Sequence, residues 1–152
     1  RAVQPQGKEG LVPYWRLFYH VTWSTRKRER LIEAAWEHTL HNLIAAKAAH
    51  YGALVHAVGG TDDHIHLVVS VAPSITLSRF VGQVKGASSR FVNQELRSTH
   101  DFAWQSEYGV VSFGGEKLDA MVRYAKRQRE HHLQGDLIPP LECVDPQGLG
   151  RV

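Results

Sequence analysis

The chain has 152 residues, 43% of them hydrophobic and 22% charged, which suits one soluble domain with its own core. Its formal charge is +3 and its pI near 9.2, a mildly basic balance compatible with a polyanionic partner but not diagnostic of one. No apolar run is long enough to cross a bilayer and no secretory signal is visible; the lone Cys143 excludes a disulfide framework and a thiolate metal cage, so an intracellular place of action is expected.

Residues 1–12 mix Gly, Gln, Pro and charges without periodicity and read as a mobile arm. Arg16 to Trp23, rich in aromatic and β-branched residues, predicts a strand. A basic run follows, with Arg26, Lys27, Arg28 and Arg30 broken only by Glu29. From Glu33 to Tyr51 the apolar residues Trp36, Leu40, Leu43 and Ile44 recur at helical spacing, and Gly52 suits the C-terminal cap. Residues 53–58 and 64–71 then predict two antiparallel strands joined through Gly59-Gly60-Thr61-Asp62-Asp63.

Pro73-Ser74 ends that hairpin, and Ser74 is placed to cap a helix reaching about Leu96. Its buried stripe is Leu77, Phe80, Val81, Val84, Phe91 and Val92; Arg79, Lys85, Arg90 and Arg97 fall on the other side. Gly86 in its middle suggests close approach of another backbone. A short strand at 109–113 and a last helix from Glu116 to Leu133 complete the regular elements, and the Pro-rich stretch after Gly135 reads as an extended tail. The order β-α-β-β-α-β-α predicts an α+β, ferredoxin-like (RRM-like) antiparallel sheet with helices packed on it.

The chemistry-bearing residues fall on these elements. His64-Ile65-His66 opens an apolar strand, and residues two apart on a strand share a face. Two imidazoles on one face suit a common divalent ion, although one structural and one exposed His is the plainer reading of the dipeptide pattern alone. Tyr124 and Gln128, four apart on the last helix, share a face as well. Tyr124 is either a packing residue or a nucleophile attacking phosphorus, and Gln128 can offer an amide oxygen to a hard cation. Three basic groups, Arg26 to Arg30, Lys85 with Arg90, and Arg123 with Arg127, are candidates for contacts to a nucleic-acid backbone. Phe18, Trp23 and Trp104 are either base-stacking or core residues.

With these residues placed, the chain resembles the single-tyrosine HUH transposases of small bacterial insertion sequences, REP-associated tyrosine transposases included. The motif of His, hydrophobic residue, His is His64-Ile65-His66, and the likeness runs collinearly over roughly residues 14–133. It includes Tyr19-His20-Val21, Lys85-Gly86-Ala87-Ser88-Ser89-Arg90, Trp104 with Tyr108-Gly109, and Tyr124-Ala125-Lys126-Arg127-Gln128 followed by Arg129-Glu130-His131-His132. The resemblance implies Mg²⁺ or Mn²⁺ held by His64, His66 and Gln128, and Tyr124 as the nucleophile. It implies cleavage and rejoining of single-stranded DNA through a 5′-phosphotyrosine, with no nucleotide cofactor. It implies recognition of subterminal DNA hairpins by a homodimer whose subunits share active sites, in a bacterial cytoplasm at the nucleoid. Residues 13–134 would form the catalytic domain and 135–152 the tail. Residue 125 is Ala where a larger aliphatic is usual, and the 26–30 run departs from the family pattern.

Three other readings stand beside this one. A nucleotide hydrolase with a His-x-His-x-His triad fails because position 68 is Val. A non-catalytic ferredoxin-like module that binds single strands predicts no convergence of Tyr124 with the His pair. A domesticated relative cutting host repeats would use the same chemistry as a mobile element's enzyme.

Overall fold

The computed structural model describes residues 13–144 other than 97 and 99; the expected arm 1–12, Arg97 and the end of the expected tail lie outside the described residues. Four strands, β1 (Phe18–Ser24), β2 (Ala53–Gly60), β3 (His64–Val71) and β4 (Gly109–Phe113), form one antiparallel sheet in the order β2-β3-β1-β4. Helices α1 (Glu37–His50) and α2 (Leu77–Gln94) connect them, as the ferredoxin-like pattern requires.

Alternation along the two central strands decides which helices lie where. One face presents Val21 and Trp23 of β1 beside Ile65, Leu67, Val69 and Val71 of β3, all essentially inaccessible to solvent. Leu40, Ile44 and Ala48 of α1 and Phe80, Val81, Val84 and Val92 of α2 complete this core. Trp23 and Phe18 are buried, and Trp104 packs edge-on against both Trp23 and Phe102 while its indole N–H donates to Ser88 Oγ at 2.9 Å. Of the two readings open for these three aromatics, packing is the one observed.

The opposite face carries His20, Thr22, Ser24, His64 and His66, and here the C-terminal elements pack. Instead of one long helix over 116–133 there are two, α3 (Leu118–Lys126) and α4 (Gln128–Gln134), hinged at Arg127 with φ −106° and ψ 29°. The expected extended tail also contains a turn of helix, α5 (Pro139–Glu142), which the proline pair at its start favours. α5 brings Leu141 and Glu142 back beneath β4 and β1.

Two strand glycines make this docking possible. A Cβ on Gly59 would stand 1.7 Å from the Ala125 carbonyl oxygen, and one on Gly109 would stand 2.0 Å from that of Cys143. The sheet therefore accepts the end of α3 at one edge and the end of α5 at the other, backbone against backbone. The small Ala125 fits the same contact. Gly86, by contrast, has nothing near its Cβ position, so the expected close approach along α2 is absent. Helix α2 also starts at Leu77, with Thr76 rather than Ser74 at its N-cap.

Candidate active site

Within the sheet, β1 and β3 run side by side with Thr22 opposite His66 and Ser24 opposite His64. Both imidazoles are buried, at 1% and 0% exposure, so their ring nitrogens need partners inside the protein. On each ring the Nδ1 atom is engaged. His64 Nδ1 lies 2.5 Å from Asp63 Oδ1, and the Thr61 hydroxyl donates to the same carboxylate at 3.1 Å. His66 Nδ1 lies 2.9 Å from His20 Nε2. Burial, followed by the neighbouring His66, pushes the His20 pKa down to about 3, and burial lowers that of His66 as well. Burial thus disfavours the charged form of both rings. His64 and His66 each have Nδ1 engaged and Nε2 facing a shared space, an arrangement compatible with metal ligation through Nε2.

Helices α3 and α4 supply the next groups. Gln128, 1% exposed, opens α4; its Nε2 donates to the Tyr124 carbonyl at 3.0 Å and its Oε1 stands 3.1 Å from His64 Nε2. The break at Arg127 leaves Tyr124 and Gln128 both on the site. Tyr124 is 4% exposed and packs with its ring centroid 5.8 Å from that of His66. Its hydroxyl donates to Glu142 Oε1 and accepts the Ile138 N–H at 3.0 Å. Burial and the adjacent carboxylate raise the tyrosine pKa to about 12.

Three participants lie outside the set singled out from the sequence. His20 was legible only as part of the first-strand motif. His132 sits one turn beyond Gln128, with its Nε2 3.2 Å from His64 Nε2. Glu142 had no sequence signal, since it lies in a stretch that reads as tail. Its Oε2 is 3.5 Å from His66 Nε2, 3.8 Å from His64 Nε2 and 3.7 Å from His132 Nε2. Burial alone would raise its pKa, but His66, Tyr124 and His64 outweigh that and hold it at about 2. The two adjacent aspartates divide their roles: Asp63 orients His64, while Asp62 faces Arg30 at 3.7 Å.

The basic residues separate into two kinds. Arg26, Lys27, Arg28, Arg30, Arg90, Arg123 and Arg127 are exposed. Lys27 and Arg28 occupy left-handed backbone conformations, φ 54° and 53°, in a turn tied by Thr25 Oγ1 donating to the Glu29 carbonyl at 2.5 Å. Arg28 reaches the Glu142 carbonyl at 3.5 Å, so this turn borders the site. Lys85 is different. Its ammonium donates to the carbonyls of Gln105, Ser106 and Glu107 at 2.7, 3.1 and 3.0 Å, which uses all three of its N–H bonds. In this structure it braces the loop before β4 and has no donor left for a phosphate.

The family model for IS200-like transposases matches residues 13–128, spanning the sheet, the His pair, Tyr124 and Gln128. The chain belongs to the IS200-like transposase family. Among curated proteins, the ISDra2 transposase TnpA of Deinococcus radiodurans is 30% identical over 83 residues, which make up 55% of this chain and 59% of that protein. The aligned part thus spans less than two thirds of this relative. A crystal structure from Deinococcus radiodurans described as a transposase superposes with a TM-score of 0.60 at 22% identity, covering 78% of this chain and 95% of that one. A REP-associated tyrosine transposase bound to a REP hairpin gives 0.59 at 12% identity, covering 95% and 99% respectively. These two structures share the fold with this member of the IS200-like family.

Proposed function

We propose that this IS200-like transposase cuts and rejoins single-stranded DNA through a covalent 5′-phosphotyrosine on Tyr124, at a divalent cation held by His64, His66 and Gln128. The observation that carries the reading is the convergence of Tyr124, Gln128 and the His pair within one chain. A binding module has no need for it.

The donor set fits a divalent ion. His66 Nε2 is fully buried and makes no hydrogen bond; in the tautomer whose Nδ1–H donates to His20, a cation in the space it faces would satisfy it. His64 Nε2 and Gln128 Oε1 border the same space, and two imidazoles with oxygen donors suit Mn²⁺ somewhat better than Mg²⁺. When bound, such an ion supplies positive charge that polarises the scissile phosphate and favours the phenolate.

The protein's own groups do the rest. The Tyr124 hydroxyl releases its proton to solvent as its oxygen attacks phosphorus; the bond to phosphorus forms as the bond to the 3′ oxygen breaks, and the leaving oxygen takes up a proton from solvent as a free 3′-OH. A second 3′-OH reverses the sequence, so no nucleotide is consumed. Ile138 must surrender its N–H bond to the Tyr124 oxygen for a phosphate to approach. The exposed arginines 123 and 127, and the basic turn at 26–30 beside Glu142, supply backbone contacts, including those to hairpins at element ends.

The resemblance implies a dimer that exchanges tyrosine helices. The close seat of Ala125 on Gly59 holds α3 on its own sheet, which supports Tyr124 acting with the His pair of its own chain, whether or not the protein dimerises.

Labelled single-stranded DNA ends incubated with the full chain and Mn²⁺ test the reading. A metal-dependent covalent adduct, resistant to denaturation and lost in Tyr124→Phe, is the expected result. Tight DNA binding with no adduct on any end sequence would instead favour the binding module.

A further inference from the structure

We infer that Glu142, delivered by α5, is a fourth protein ligand of the divalent cation; the inference rests on the metal-site reading above. The carboxylate Oε2 and the Nε2 atoms of His64 and His66 form a group in which all ligand atoms lie within 4.8 Å of one another. Atoms sharing one ion at about 2.1 Å stand about 3.0 Å apart at right angles and about 4.2 Å apart when opposite. The separations of 3.5 Å to His66 and 3.8 Å to His64 fall inside that range. They are too long for hydrogen bonds.

The character of the atoms points the same way. When His66 Nδ1–H donates to His20 Nε2, the buried Nε2 atom keeps its lone pair on the side of Glu142 and makes no hydrogen bond. In that tautomer two lone-pair bearers face each other across the gap, and a cation between them satisfies both. Gln128 and His64 meet at the same gap.

The carboxylate is also held in place rather than swinging from the surface. Its other oxygen receives the Tyr124 hydroxyl. Leu141, 2% exposed, anchors α5, and the missing side chain at Gly109 admits the Cys143 carbonyl beside it. One oxygen of Glu142 thus touches the nucleophile while the other faces the ion's place, so the C-terminal segment links the two halves of the site.

The test is Mn²⁺ binding by the full chain without DNA, followed by electron paramagnetic resonance and water-proton relaxation. In Glu142→Gln the affinity is expected to fall at least tenfold, with one more water on the bound ion. Glu142→Asp, which retains the charge on a shorter arm, should bind between wild type and Glu142→Gln; it decides the matter should the Gln variant not fold. Wild-type affinity and water count in Glu142→Gln and Glu142→Asp, with binding lost in His66→Ala, would overturn the role of Glu142 and leave the metal site standing. Failure of the unmodified protein to bind Mn²⁺ would instead remove the metal-site reading itself.

Discussion

The two faces of the sheet are built from the same strands and do opposite work. Ile65, Leu67 and Val69 look toward α1 and α2 across a dry core, while His64 and His66, one residue out of phase, look toward α3, α4 and α5. Both faces are buried, so burial does not separate them. What separates them is the cost of each burial: apolar area removed from water stabilises the first face, whereas every ring nitrogen on the second must be satisfied. Stability is concentrated on one face, and the proposed chemistry falls on the other.

Substitutions on adjacent residues of β3 should therefore give crossed phenotypes, and this is the largest expected effect. His66→Ala and Tyr124→Phe should lower DNA cleavage by about a thousandfold or more, with a smaller loss of stability than a truncation in the apolar core. Leu67→Ala, a fully buried truncation in the main core, should cost about 2–5 kcal/mol and reduce activity only as the folded fraction falls. Denaturant midpoints and adduct yields on the same preparations would show this. A His66→Ala variant as unstable as Leu67→Ala would break the division.

Next in size is the seam where the helix that carries Tyr124 meets the sheet. In Gly59→Ala the new methyl overlaps the Ala125 carbonyl, and the backbone cannot yield as a flexible side chain can. Helix α3 must lift, at a cost of about 1–3 kcal/mol. Adduct formation should fall with it, and Tyr124 should become reactive to modification, while the α1–α2 core keeps its near-ultraviolet circular dichroism. An unchanged Tyr124 would show that the seam matters less than its geometry indicates. The same seam predicts the outcome of mixing Tyr124→Phe with His66→Ala: with α3 seated on its own sheet, the mixture should stay inactive. Recovery toward a quarter or half of wild-type yield would reveal exchange of tyrosine helices between subunits.

The two faces were also unequally legible in the sequence. Apolar periodicity located α1, α2 and all four strands to within a few residues, because the core face repeats a simple signal. His64, His66, Tyr124 and Gln128 were legible as well, the first two through strand alternation and the others through helical spacing. The break at Arg127 was not, since no Gly or Pro marks it and the helical spacing continues through. Glu142 was invisible for a different reason. Its place depends on Gly109 admitting a chain segment more than thirty residues later, and no local pattern encodes that contact. Lys85 looked like a phosphate ligand because sequence reports charge and not the three carbonyls that capture it.

The polar face should also set how the metal-free protein responds to acid. Burial holds His20 near a pKa of about 3, against an ordinary 6.5, so between those values the unfolded chain takes up a proton that the folded one refuses. Stability therefore falls as pH drops through that window. Glu142, held at about 2 against an ordinary 4.5, adds a further loss below pH 4.5 as its ionised form ceases to favour the fold. Denaturant midpoints measured from pH 7.5 down to 3.5 should decline throughout. In His20→Gln the decline between 6.5 and 4.5 should be shallower, while Leu67→Ala should lower the curve without changing its shape. Superimposable shapes for all three proteins would remove His20 from the account.

The smallest effect separates two cations that sequence alone treats alike. Arg127 is exposed beside Gln128, whereas the Lys85 ammonium is spent on the loop 105–107. For single strands, each phosphate neutralised contributes about 0.7 to the slope of log affinity against log salt. Arg127→Ala should lower that slope by about this amount, and Lys85→Met should leave it unchanged. The lysine should be visible in stability instead. Burial draws its pKa down to about 8 from 10.5, so between these values the unfolded chain binds more protons and the folded state gains stability as pH rises. That rise should disappear in Lys85→Met. A lowered salt slope in Lys85→Met, with the alkaline rise intact, would move Lys85 to the DNA-binding surface and erase the distinction between the bracing cation and the cation that contacts phosphate.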